Sequence, residues 1–228
     1  MAILDAIRKA ILRTDGSVVT EVYSSADQIC VEMADLANDV AIDIVKGHDW
    51  RKLTKLHTMA GNGVTEDFPL PADYDRMVLA SEIDDMDMWF WGYCNIPTIN
   101  EWLELKNSGF VGLNPGGWIM IGGNMSFMPA PTGTAVYPYI SNLYARDEDG
   151  NPKAQFDRDT DTFVLDDRLI TLGCIWRWFE QKHMPVDTSE YDLALSQAQA
   201  RDKGARTVTN RRKLPYVGSR IAWPWSLG

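Results

Sequence analysis

Apolar positions recur at helical spacing toward both ends of the chain and at strand spacing in its middle. Residues 3–13 place Ile3, Leu4, Ile7, Ala10 and Ile11 on one stripe, which predicts an amphipathic helix. Ser25 followed three residues later by Gln28 has the form of a capping box and predicts a second helix. Its apolar face would run Ile29, Met33, Leu36, Val40, Ile44, with Gly47 as the C-cap glycine, and the two helices read as an antiparallel pair. After His48-Asp49-Trp50 the pattern changes. Residues 51–145 hold most of the glycines and prolines, with strands expected near Leu53–Met59, Arg76–Ile83, Met88–Tyr93, Trp118–Ile121, Met125–Met128 and Ala135–Tyr144. Gly122-Gly123 is expected to turn a hairpin, and Ile99–Lys106 to form a short helix between strands.

From Asp161 helical spacing returns. Leu165, Leu169, Leu172, Ile175, Trp176 and Phe179 share one broad face, and Pro185 stops that helix. Ser189 is expected to cap a last helix to about Lys203, closed by Gly204; its thin stripe of Tyr191, Leu195 and Ala198 marks it as peripheral. The fold class expected is therefore α+β. An antiparallel helical bundle (1–50 with 160–205) carries a central β-rich insertion (51–145), followed by an extended basic C-terminal tail (206–228).

Composition narrows the class. With 228 residues, 45% hydrophobic and 24% charged, the chain is an ordinary globular protein, not a disordered or fibrous one. Cys30, Cys94 and Cys174 are odd in number and far apart, which argues against a disulfide framework. No run of about 18 apolar residues and no signal-like stretch occurs, so no membrane association is expected and synthesis in the cytoplasm is.

Charge is more informative than its total of −10. Between Arg206 and Gly228 lie five basic residues, Arg206, Arg211, Arg212, Lys213 and Arg220, and no acid. Residues 1–205 then hold 17 basic against 32 acidic residues, a charge of −15. Such a body repels a phosphate backbone, so sequence-reading of DNA is not its task. The basic segment reads either as a solvated terminus or as a docking arm. Its bulk (Leu214, Tyr216, Val217, Ile221, Trp223, Trp225, Leu227) favours docking, because Trp, Tyr and Arg dominate interface hot spots.

The search for chemistry yields little. Asp157, Asp159 and Asp161 open like a calcium loop, but the sixth position is Thr162 and the twelfth Arg168, where glycine and a bidentate acid are required. A solvated turn leading into a helix is the expectation, with Asp166 and Asp167 at the positive end of that helix. Asp147-Glu148-Asp149-Gly150-Asn151 reads as a turn. Asp84, Asp85 and Asp87 with Glu101 or Glu104 are a carboxylate set that a cell-wall glycosidase would need, although adjacent aspartates more often solubilise a loop. His48, His57 and His183 have no metal-ligand spacing. The run Trp89–Tyr93 is an alternative stacking platform for a carbohydrate or host surface, although its apolar residues on both faces favour burial. No catalytic residue, cofactor or metal is expected.

The order of segments resembles the head-to-tail adaptor (connector, or tail accessory) proteins of tailed bacteriophages, especially short-tailed ones. The likeness is carried by HDWRKL (48–53), FPLPADYDRMV (68–78), INEWLELKN (99–107), the MPAPTG turn (128–133), DTFVLDDRLITLGCIWRWFEQK (161–182) and ARDKGARTV (200–208). It implies a non-enzymatic structural protein of the virion, located at the portal vertex. There a ring, usually of twelve copies, would bind the portal protein, extend the DNA channel, help retain the packaged genome and present a surface to tail or nozzle proteins. Genomic double-stranded DNA would pass through without sequence-specific binding, since an acidic wall lowers phosphate affinity. Arg206, Arg211, Arg212, Lys213, Tyr216, Arg220, Trp223 and Trp225 would form the portal-docking tail.

Overall fold

Two compact units divide the described residues: one takes 2–54 together with 140–202, the other lies within Lys55–Tyr139. The computed structural model describes residues 2–79, 81, 83–85, 93–107 and 116–202. The elements follow in the order α1 (Ile3–Thr14), α2 (Gln28–Lys46), β1 (Thr54–Ala60), β2 (Asp67–Pro69), β3 (Tyr74–Met77), β4 (Asp84–Asp85), β5 (Tyr93–Asn95), α3 (Ile99–Asn107), β6 (Gly116–Ile121), β7 (Asn124–Met128) and β8 (Thr134–Ser141). After them come β9 (Ala145–Arg146), β10 (Pro152–Lys153), β11 (Thr162–Phe163), α4 (Asp167–Gln181) and α5 (Ser189–Asp202). The class is α+β.

In the first unit α1, α2 and α5 all pack on α4. Helix α1 buries Ile3, Ala6, Ile7, Ala10 and Ile11 as its period predicts. The buried face of α2 is rotated from the expected one: Cys30, Met33, Ala37, Val40, Ala41 and Ile44 face inward, while Ile29 and Leu36 are half-buried. At Gly173 of α4 an added Cβ would lie 2.3 Å from Val40 Cγ1, so only glycine lets the two backbones meet there.

The termini of α2 also differ from expectation. Asp27 is the N-cap residue, and Gln28 donates forward to Glu32 at 2.8 Å instead of reaching back. Gly47 keeps a right-handed φ of −74° and donates its N–H to the Asp43 carbonyl. Helix α4 begins at Asp167, not Asp161, because Thr162 and Phe163 pair with β9 in a small β10-β9-β11 sheet. Asp166 caps it by accepting the Arg168 N–H at 3.0 Å. From Leu169 to Cys174 the helix is buried all round, since neighbours cover it on several sides; Ile175, Trp176 and Phe179 are half-buried. Ser189 lies inside α5 rather than capping it, and its N–H is accepted by the Asp187 carboxylate at 2.9 Å. Lys203 and Gly204 fall outside the described residues.

The second unit holds two sheets, ordered β1-β8-β3 with β4 on β8, and β2-β7-β6-β5. Gly122 and Gly123 have φ of 60° and 82°, the left-handed pair that a tight β6–β7 hairpin requires. The expected strand Arg76–Ile83 is shifted and split: β3 ends at Met77, and Ile83 bridges Tyr93. Strand β2, which runs into the start of the FPLP motif, is not expected from sequence because its Pro69 weighs against a strand. The core gathers Met59, Ile83, Tyr93, Trp118, Met125, Phe127, Ala135, Tyr137 and Tyr139.

Two predictions follow from this packing. Gly→Ala in a helix interior ordinarily stabilises by about 1 kcal/mol. At position 173 the sign should reverse, to a loss of roughly 1–3 kcal/mol from overpacking, and Val40→Ala in the same chain should recover part of it in urea unfolding. Burial pushes the hydroxyl of Tyr139 up to about 12, aided by its hydrogen bond with Asp73, and that of Tyr144 also to about 12, aided by Asp39. Unfolded tyrosines ionise near pH 10. The stability these groups contribute is thus complete below about pH 10 and lost as pH rises toward 12. The melting temperature should fall over that window, with tyrosinate absorbance appearing only as the chain unfolds.

Candidate functional site

The acidic motif at 157–161 is structural and partly buried, not the solvated turn expected from sequence. Asp161 is completely buried. One of its oxygens accepts the backbone N–H of Asp157 at 2.8 Å and of Arg158 at 3.0 Å, and the Lys153 ammonium at 2.8 Å. Lys153 also bonds Asp157. Burial works against the Lys153 charge, but its hydrogen bonds to Asp157 and Asp161 outweigh that and hold its pKa above the ordinary lysine value. Two of the three motif carboxylates are therefore engaged by a lysine of the chain, and the third by backbone N–H groups.

The same turn gathers neighbouring elements. Ile3 N–H donates to the Asp161 carbonyl at 2.7 Å, fixing the start of α1. The Asp159 carboxylate accepts from Val22 N–H at 3.1 Å and Tyr23 N–H at 3.2 Å, fixing the α1–α2 connection. Asn38 of α2 donates to the Phe156 carbonyl at 3.2 Å and accepts the Phe156 N–H at 2.8 Å and the Tyr144 hydroxyl at 3.1 Å.

The other titratable candidates do not converge. Among the described residues no group of three His, Cys, Asp or Glu is arranged to hold a metal ion. Asp84 and Asp85 form strand β4 opposite Val136 and Ala135, not the expected loop, and Asp87 lies outside the described residues. Glu101 and Glu104 are exposed on α3. His48 stands edge-on to Trp50 with its Nε2 3.5 Å from Asp202, whereas His57 packs edge-on to Tyr137 in the other unit. His183 is exposed just beyond α4. Burial pushes the Cys174 thiol up to about 12, which removes it as a nucleophile near neutral pH. Asp147 closes its turn by accepting the Asn151 N–H at 2.7 Å, as the composition of that segment suggests.

Of the aromatic run, Tyr93 is buried against Phe127, with its hydroxyl donating to the Pro129 carbonyl at 3.1 Å; Trp89 and Trp91 lie outside the described residues. A feature not foreseen is the aromatic and cationic end of α4. The Arg177 guanidinium lies 4.7 Å over the Trp176 ring and bonds Asp43 of α2, while Lys182 lies 5.7 Å over Trp178 and bonds Glu32 at 2.9 Å. Trp176 leans on Tyr191 of α5 at 5.8 Å. The IWRWF string carries the signal, but its role in joining three helices depends on α2 residues more than a hundred positions away. The docking residues expected in the tail, Arg206, Arg211, Arg212, Lys213, Tyr216, Arg220, Trp223 and Trp225, lie outside the described residues.

The polar clusters of the helical unit tie its elements together. A sequence model of a family described as SU10 adaptor protein matches residues 1–220. No curated protein matches the chain.

Removal of the Asp161 carboxylate should be costly, because it leaves Lys153 half-paired and two N–H groups without an acceptor. Asp161→Ala is expected to lower unfolding free energy by about 3 kcal/mol in urea denaturation, and Asp147→Ala, in an exposed turn, by much less. Equal losses would show that the 157–161 turn is not a hub.

Proposed function

The chain belongs to the SU10 adaptor protein family, a family of phage head-to-tail adaptors, and from that premise we propose that it forms a ring beneath the portal of the filled head. Membership makes it a structural component of a phage particle. Among the described residues no helix is long and apolar enough to cross a membrane. In the proposed role the ring, of about twelve copies as the family resemblance implies, continues the DNA channel, helps retain the genome and offers the tail its attachment surface.

The observation that carries this reading is the division of charge. A body at −15 over residues 1–205 gives DNA a wall to slide along, because each additional phosphate contact would tighten binding in proportion to the basic residues supplied. The segment 206–228, with five basic residues and Trp223 and Trp225, supplies the opposite chemistry and is assigned to the portal. Several weak anchors of this kind, one set per copy, add through avidity once the copies sit in a ring.

Deletion of residues 206–228 should abolish binding to portal-bearing heads while the circular dichroism and melting of the remaining chain stay unchanged; undiminished binding would refute the assignment. Trp223→Ala and Trp225→Ala should each weaken the joint by about 2 kcal/mol per chain, measured as retention of the protein on purified heads.

A further inference from the structure

Among the described residues the seven-residue strand β1 has a neighbour on one side only, because it ends the sheet order β1-β8-β3. The Gly61 N–H donates to the Gly133 carbonyl at 2.7 Å and the Ser141 N–H to the Leu53 carbonyl at 2.9 Å. Residues 53 and 61 lie as far apart in sequence as 133 and 141. The ladder between them therefore carries no bulge, and the odd-numbered residues of β1 turn their backbone groups to β8. The N–H and C=O groups of Leu56, Thr58 and Ala60 point away from the sheet, and among the described residues nothing bonds them. All three residues are exposed, Leu56 at 72%.

A free edge of this length is ordinarily blunted by proline, a bulge or charged side chains. Strand β1 has no proline and no bulge, and its one lysine, Lys55, is bonded to Asp73 at 2.6 Å. Met59 turns into the core and His57 stands edge-on to Tyr137 at 5.3 Å, so Leu56 and Thr58 lie on the opposite, open face. Such an edge accepts an extended backbone. A second copy of β1 fits it. Turned antiparallel, the register that overlaps Thr54–Ala60 completely is centred on His57 and sets Leu56 opposite Thr58 and Lys55 opposite Met59. Outward backbone groups then meet outward backbone groups, and no lysine faces a lysine. Sliding the register until Lys55 faces its own copy shortens the overlap and places like charges opposite each other.

We propose that β1 of one copy pairs antiparallel with β1 of a second copy, joining two sheets into one and covering Leu56 of each with Thr58 of the other. The contact uses the same surface on both copies, so it is isologous and closes at two. It is therefore not the contact of a ring and goes beyond the portal reading: it belongs to the free chain, whose open edge it covers before any ring forms.

Sedimentation equilibrium of the purified chain over a concentration series tests it. The mass should rise from that of one chain to that of two and no further. Leu56→Lys puts a charge on the edge, and Thr58→Pro removes an outward N–H while leaving the β8 ladder whole. Each should raise the dissociation constant by at least about tenfold, with the circular dichroism of the dilute chain unchanged. A register test does not depend on either variant folding. Chains carrying Leu56→Cys mixed with chains carrying Thr58→Cys should form an intermolecular disulfide under mild oxidation, well above the level of either variant alone or of the wild type, because directly opposed residues are within disulfide reach and diagonal ones are not. A chain that stays monomeric throughout overturns the pairing, as does a dimer that Leu56→Lys and Thr58→Pro both leave intact, or a crosslink no stronger in the mixture than in the unmixed variants. Binding of the wild-type chain to portal-bearing heads is read separately, so the adaptor reading stands or falls on its own.

Discussion

The helical unit depends on a carboxylate taken out of water. Asp161 is completely buried, and a buried acid is tolerated only where hydrogen bonds and an opposite charge compensate for its lost hydration. Two backbone N–H groups and the Lys153 ammonium do so at its Oδ2, and that requirement fixes the path of the chain between 153 and 161. With the turn so fixed, its remaining groups are presented outward: the Asp161 carbonyl to α1, the Asp159 carboxylate to the α1–α2 connection, and the backbone of Phe156 to Asn38. Three parts of the chain, each more than a hundred residues away in sequence, are thereby held by one short segment.

Rigidity in that unit has a consequence for its surface. With α1 and α2 each committed to α4 through their apolar faces, their charged faces are displayed in fixed positions. The close approach at Gly173 and Val40 and the Trp176–Arg177–Asp43 arrangement both serve to hold α2 against α4.

Much of this was legible in the sequence. The stripe of α1, the Gly122-Gly123 hairpin, the strands of the β6–β7 pair and the short helix α3 follow from local periodicity and turn chemistry, which need only neighbours along the chain. What escaped depends on distant partners. The late start of α4 is set by the pairing of Thr162 and Phe163 with Arg146 and Ala145, and the closeness of α2 to α4 by Gly173 meeting Val40. Burial of Asp161 could not be read from a motif whose local pattern is that of an exposed acidic loop, since the neutralising Lys153 lies outside it. For the site the division of charge was visible at once, whereas the bracing of α4 by Arg177 and Lys182 depends on acids of α2 that only the folded unit brings near.

The central claim is that this polypeptide is a passive joint under the portal, acidic along the channel and anchored by its cationic, indole-bearing end. A cryo-EM reconstruction of the portal vertex of the mature particle tests it most directly. The expected result is a closed ring of this chain beneath the portal, with the last twenty or so residues of every copy lying against portal subunits. A vertex without the chain, or a ring whose C-terminal segments turn away from the portal, would contradict it.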